Sequence, residues 1–168
     1  MIKKKICLLG AFAVGKTSLM KRFVNSTFSE DYHSTIGAKV DSREQEIHGQ
    51  QVRMLIWDLA GEDILTVVPK TFLRGAAAVI VVIDATRERS LDVAQSLAHT
   101  VRESLGDIRI IYAINKQDLV DDEVIEGLKS QLNTQESVVV TSAKTGDHVE
   151  DLFLDLATSF RAPSAGVQ

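Results

Sequence analysis

ICLLGAFAVGKTSL, residues 6–19, decides the fold, because it joins an apolar run, a glycine-bounded loop and the start of a helical pattern. Ile6 to Leu9 reads as a strand buried on both faces. GAFAVGKT, Gly10 to Thr17, fits the phosphate-loop pattern GxxxxGK[ST], and Lys16 to Asn25 reads as a helix. A strand before and a helix after are the context that makes this pattern a credible site. Gly10, Ala13, Val14 and Gly15 form a loop whose backbone N–H groups can point inward at phosphate oxygens, and the helix N-terminus adds a favourable dipole. Lys16 is expected to bridge the β and γ phosphates as a point charge, and the Thr17 hydroxyl is the natural Mg²⁺ ligand. Ser18 is expected to contribute its backbone N–H to the α phosphate.

Outward from this stretch, strand and helix patterns alternate, which points to an α/β architecture with a mostly parallel sheet covered by helices on both faces. Val79 to Ile83 and Ile108 to Ile114 read as central strands. Lys39 to Ile47 and Val52 to Trp57 flank His48, Gly49, Gln50 and Gln51, read as a hairpin turn that supplies one antiparallel edge pair. Helices are expected over Arg87 to Leu105, Asp121 to Leu132 and Asp147 to Arg161, with Ser90, Asp121 and Asp147 near their starts, where capping oxygens belong. In the last helix Val149, Leu152, Phe153, Leu156 and Phe160 recur at helical spacing and read as core.

Asp58 ends an apolar strand in DLAG, Asp58 to Gly61, where a carboxylate can reach Mg²⁺ through water and Gly61 can bring its N–H to the γ phosphate. NKQD, Asn115 to Asp118, closes another strand at the end where α/β sheets bind ligands. Asp118, an acceptor with two oxygens, suits the N1–H and exocyclic amine of guanine, and adenine offers no matching pair of donors. In SAK, Ser142 to Lys144, the Ala143 N–H could hold the guanine O6, while the stems of Lys116 and Lys144 could cover base and ribose.

The length fits one domain, assigned to residues 1–162, followed by a frayed tail over 163–168. A net charge of −4 offers no basic face for nucleic acid, and the lysines at 3–5 read as the solvated start of a strand. Cys7 is the only cysteine, so no disulfide framework, cysteine metal cluster or C-terminal prenylation signal is expected within these 168 residues, and a cytoplasmic, reduced setting is expected. No apolar run approaches the roughly 20 residues that span a bilayer, so no direct membrane anchor is expected in this chain. His33, His48, His99 and His148 share no metal-ligand spacing.

GAFAVGKT, STIG (Ser34 to Gly37), WDLAG (Trp57 to Gly61), NKQD and TSAK (Thr141 to Lys144) together resemble a Ras-superfamily small GTPase over essentially the full chain, nearest in texture to the Rab-like branch. The resemblance implies a three-layer P-loop NTPase fold with a six-stranded, mostly parallel sheet, one antiparallel edge strand and five helices. It also implies switch segments near 28–38 and 61–74 that order around the γ phosphate, with Thr35 as a second Mg²⁺ ligand from the protein. Phe28 then lies edge-on to the guanine, or serves as a core aromatic at a loop edge, and Tyr32 covers the phosphates.

Two residues depart from the family pattern. The glutamine that usually follows the DxxG glycine and orients the attacking water is Glu62 here. An ionised glutamate cannot donate a hydrogen bond to the γ phosphate, and its charge opposes the anionic transition state. Phe12 replaces a small residue and sets a ring where an arginine finger, worth about 10³ to 10⁵ in kcat, needs room. Alternatively Phe12 turns into a switch contact and Glu62 is solvated. Lys16, Thr35, Gly61 and Glu62 form the expected catalytic set. The leading expectation is a GTP-dependent switch with slow turnover; the others are a GTP-binding scaffold with negligible hydrolysis and, against NKQD and SAK, a P-loop ATPase or kinase. Expected partners are guanine nucleotide, protein effectors, an exchange factor and an activating protein, with the chain monomeric or dimerising weakly with nucleotide. Arg53, Arg74, Arg87 and Arg89 are candidates for an arginine finger in cis by sequence proximity alone.

Overall fold

The lysines at 3–5 lie within the first strand, β1 (Ile2–Gly10), which runs longer than its apolar core and pairs Lys3 with Arg53 and Leu8 with Asp58 of a parallel neighbour. The computed structural model describes residues 1–26, 28, 37–59 and 70–160. Along the chain β1 is followed by α1 (Lys16–Asn25), β2 (Ala38–Ile47), β3 (Gln50–Leu59), α2 (Lys70–Leu73), β4 (Ala76–Asp84), α3 (Arg89–Leu105), β5 (Arg109–Asn115), α4 (Asp122–Leu132), β6 (Ser137–Val140) and α5 (Val149–Thr158). The sheet order is β2-β3-β1-β4-β5-β6, parallel throughout except for the β2–β3 pair. Among the described residues the α/β fold, the six strands, the antiparallel edge and the five α-helices agree with the sequence expectation.

Successive strand residues face opposite sides of the sheet, so the lysines of β1 meet different layers. The Lys4 ammonium lies over the Phe160 ring just after α5, whereas Lys5 lies 3.9 Å from the Trp57 ring centroid and donates to the Arg74 carbonyl. On the α1/α5 side Phe23 and Phe153 stack with centroids 4.2 Å apart, and Arg43 of β2 covers Phe23 while donating to Glu150 at 2.7 Å. On the other side α3 packs on β4 and β1 and is flanked by α2 and α4. Ala78 to Ile83 and Ile110 to Ile114 are buried, as their unbroken apolar pattern requires. Val149, Leu152, Phe153, Leu156 and Phe160 are core residues, in agreement with their helical spacing.

Several boundaries differ from expectation for local reasons. The hairpin turn is two residues, not four: His48 and Gly49 both have positive φ, 50° and 79°, and Ile47 pairs directly with Gln50, the backbone geometry that suits the twist of flanking strands. Asp121 caps α4 by accepting from the Val124 N–H, but Ser90 and Asp147 cap nothing. Ser90 lies inside α3, where its hydroxyl accepts from the Asp84 N–H at 2.9 Å and donates to the Arg87 carbonyl at 2.7 Å. α5 begins at Val149 after His148, which is left-handed with φ 58°. α2 is too short to show a helical period in the sequence; it falls inside the segment 61–74.

Candidate functional site

All five parallel strands end on one edge of the sheet, so the residues that follow them are brought together by topology. β1 runs into residues 11–15 and α1, β3 ends at Asp58 and Leu59, β4 at Asp84, β5 at Asn115, and β6 precedes Thr141 to Lys144.

The loop between β1 and α1 is tightly determined. Gly15 has φ 105°, and a Cβ there would stand 2.3 Å from the Asn115 amide nitrogen, so only glycine fits. Lys16 is 5 % exposed, and its ammonium donates to the Gly10 and Ala11 carbonyls, both at 3.1 Å. The Thr17 hydroxyl, on the first turn of α1, donates to Oδ2 of Asp58, which is fully buried at the end of β3. A hydroxyl and a carboxylate in contact beside a buried ammonium form an all-oxygen donor set, which fits a hard divalent cation such as Mg²⁺.

Asn115 is 1 % exposed and ties three segments: its amide donates to the Val14 carbonyl at 3.1 Å, and its Oδ1 accepts from the Thr141 hydroxyl at 3.1 Å and the Ala143 N–H at 3.2 Å. The Ala143 N–H, expected to face a base, is engaged by Asn115. Lys116 is left-handed, with φ 68°, and its ammonium reaches back to the Ala13 carbonyl at 3.0 Å and Asp84 Oδ2 at 2.9 Å, contacts of the head group that leave its stem for the expected cover over a base. Ser142 Oγ donates to Asp118 Oδ1 at 2.8 Å and so orients that exposed carboxylate. Lys144 is exposed on the same loop, Ser18 lies in the first turn of α1, and Phe28 is partly buried against the core.

Gly10, Ala13, Val14, Gly15, Lys16, Thr17, Ser18, Asp58, Asn115, Lys116, Asp118, Ser142, Ala143 and Lys144 are thus gathered at one edge. Tyr32, Thr35, Gly61 and Glu62 lie outside the described residues, as do most of segments 28–38 and 61–74 and the tail 163–168. Phe12 is 45 % exposed on the loop. Of the arginines considered as a finger in cis, Arg53 pairs with Glu44 toward the far end of the sheet, and Arg87 reaches the phosphate loop.

The structure adds Asp84, Arg87 and Arg22 to the residues that sequence patterns assign to this edge. Asp84, whose side chain is 1 % exposed, accepts from Thr86, Arg87 and Lys116. Burial works to raise its carboxyl, but hydrogen bonds from Thr86 and Lys116, together with the Lys116 charge, outweigh that and hold it below the usual carboxylate range. Arg87 donates to the Phe12 carbonyl. Arg22 of α1 donates to the Ala143 carbonyl at 2.8 Å and the Lys144 carbonyl at 2.5 Å, latching the loop after β6 from behind. A side chain bonded to a distant carbonyl leaves no periodic trace; the one available signal for Asp84 is a carboxylate closing an apolar strand, as at Asp58.

A phosphate loop, a hydroxyl–carboxylate pair and an oriented carboxylate on one sheet edge define the class as P-loop nucleotide-binding protein. The Ras family model matches residues 5–162, and the chain belongs to that family. It is 35 % identical to Ras-related protein Rab-22A of Canis lupus familiaris, over 96 % of this chain and 84 % of that protein. It is 34 % identical to Ras-related protein RABF2a of Arabidopsis thaliana, over 93 % of this chain and 80 % of that one. To GTP-binding protein ypt1 of Schizosaccharomyces pombe it is 33 % identical, over 94 % and 79 %. The chain is a Rab-like small GTPase of the Ras superfamily.

Proposed function

We propose that this chain is a guanine-nucleotide switch whose hydrolysis of GTP is slow. The observation that carries the reading is the placement of Lys16 and the Thr17–Asp58 pair at the same sheet edge as Asp118, whose carboxylate Ser142 orients. Lys16 and the loop N–H groups bind the phosphates, and Asp118 selects guanine by accepting from its two donors. Thr17 and Asp58, with Thr35, would hold Mg²⁺, which when bound neutralises charge on the β and γ phosphates. Phe28, Tyr32 and Lys144 complete the pocket, and residues 1–162 form the working domain.

Slow turnover follows from two side chains. Glu62 can accept a hydrogen bond from the attacking water but cannot return one to the γ phosphate, and its charge opposes the transition state. Phe12 sets a half-exposed ring on the loop, in the way of an arginine supplied by a partner. Effectors then read segments 28–38 and 61–74, and an exchange factor and an activating protein set the lifetime of the GTP state.

Single-turnover hydrolysis on nucleotide-exchanged protein, with ATP as competitor, tests this. The parent is expected to prefer GTP and turn it over slowly, with Glu62→Gln and Phe12→Gly faster. Ready hydrolysis by the parent that Glu62→Gln slows would make the glutamate the water-positioning group; absence of hydrolysis in all three proteins would leave a GTP-binding scaffold. Preference for ATP would overturn the base assignment.

A further inference from the structure

Ala13 has φ 61°, the left-handed region that residues with a Cβ avoid, at the tip of the phosphate loop. The peptide groups on both sides of it are held from outside the loop. Arg87 Nη2 donates to the Phe12 carbonyl, and Lys116 Nζ donates to the Ala13 carbonyl at 3.0 Å. Both cations rest on one oxygen of Asp84, at 3.1 Å from Arg87 Nε and 2.9 Å from Lys116 Nζ. The other Asp84 oxygen is fixed by the Thr86 N–H and hydroxyl, at 2.9 and 2.6 Å. The next carbonyl, Val14, is taken by Asn115. Three successive loop carbonyls are therefore held by Arg87, Lys116 and Asn115.

In a trans peptide the N–H points opposite to the C=O. Holding the Phe12, Ala13 and Val14 carbonyls toward the β4 and β5 ends turns the N–H groups of Ala13, Val14 and Gly15 the other way, into the hollow of the loop. Without Arg87 the Phe12–Ala13 peptide loses the bond that holds its carbonyl outward, and the strain at Ala13 favours its rotation.

We propose that Arg87 is a positioning residue for the nucleotide, which keeps the Ala13 N–H aimed at the phosphates by holding the Phe12 carbonyl outward on the Asp84 post, and so slows nucleotide release. The inference rests on the reading of this edge as a guanine nucleotide site. Its guanidinium fork is needed because one nitrogen serves Asp84 while another serves the carbonyl, a geometry a lysine cannot reproduce.

Release of N-methylanthraniloyl-GDP from the Mg²⁺-loaded protein is measured by fluorescence for the parent, Arg87→Ala, Arg87→Lys, Ala13→Gly and the Ala13→Gly/Arg87→Ala pair. Arg87→Ala is expected to release about tenfold faster, the scale of one charge-assisted hydrogen bond from a half-exposed group, and Arg87→Lys to recover part of the loss. With glycine at 13 the left-handed turn is unstrained, so Arg87→Ala should then change release by less than about threefold. A role in stability alone would not depend on residue 13. Parental release by Arg87→Ala, or an equal acceleration in both backgrounds, overturns the proposal while leaving nucleotide binding intact. If the parent itself fails to bind the probe, the nucleotide reading falls and this inference with it. Should Arg87→Ala fail to fold, Arg87→Lys in the two backgrounds carries the same comparison.

Discussion

Replacing Gly15 by alanine tests whether the Asn115 tie is rigid. The added Cβ has two costs. At φ 105° an L side chain carries backbone strain, about 1–3 kcal/mol. The Cβ also stands 2.3 Å from the Asn115 amide nitrogen, so that amide must move off the Val14 carbonyl and disturb its bonds to Thr141 and Ala143. Leaving one buried polar group unpaired adds about 1–3 kcal/mol. The sum, about 2–6 kcal/mol, is a large part of the roughly 5–15 kcal/mol that holds a domain folded. Gly127 on the exposed face of α4 is the internal control, since a Cβ there meets nothing within 4 Å; Gly127→Ala should gain about 0.5–1 kcal/mol from helix propensity. Urea unfolding followed by circular dichroism should show the Gly15→Ala midpoint falling by about 1–3 M at an m-value near 2 kcal/mol/M, and the Gly127→Ala midpoint rising slightly. With Asn115→Ala as background the clash is gone, so the two changes should be less than additive. A Gly15→Ala protein within about 1 kcal/mol of the parent, or full additivity with Asn115→Ala, would refute a fixed amide above this loop.

Other substitutions probe the neighbouring ties. The Asp84 carboxyl is held below its ordinary value in the folded protein, so its contribution to stability is present above the unfolded carboxylate range and is lost as pH falls through the lower folded value; Asp84→Asn should lower the urea midpoint at pH 7 and flatten its decline below about pH 4. Burial raises the Cys7 thiol to about 11, against a smaller opposing effect of Lys5, so a thiol reagent at pH 8 should label the native protein only at the rate of unfolding, and rapid labelling would contradict its burial. Arg22→Ala should cost about 1–2 kcal/mol by freeing the Ala143 and Lys144 carbonyls, and Arg22→Lys should recover less than half of that by thermal or urea unfolding.

Whatever repeats or clusters locally is legible in the sequence. α1 begins at Lys16 and ends at Asn25 as its pattern predicts, because the glycine loop before it and the apolar spacing within it are both local signals. The buried strands are visible as unbroken apolar runs, and the core of α5 as a period. Helix starts are misplaced where a chemically plausible cap is present but unused: Ser90 bonds back to Asp84, and Asp147 accepts from Gln117. The site is legible as residue types, since Lys16, Thr17, Asp58, Asn115 and Asp118 stand at or just beyond the ends of strands in recognisable strings. Its bracing is not. Asp84, Arg87 and Arg22 act on main-chain carbonyls far away in sequence, directly or through Lys116, and a carbonyl carries no residue identity for a pattern to register.

Trp57 is the chain's single tryptophan and sits one residue before Asp58, half-buried between the Lys5 ammonium at 3.9 Å and the Phe72 ring at 6.5 Å on α2. An indole so placed is an optical reporter built into the fold. Any rearrangement that draws α2 away from β3 changes its contact with Phe72 and the polarity around it. Its emission can therefore follow the state of this end of the molecule in real time, with no label attached.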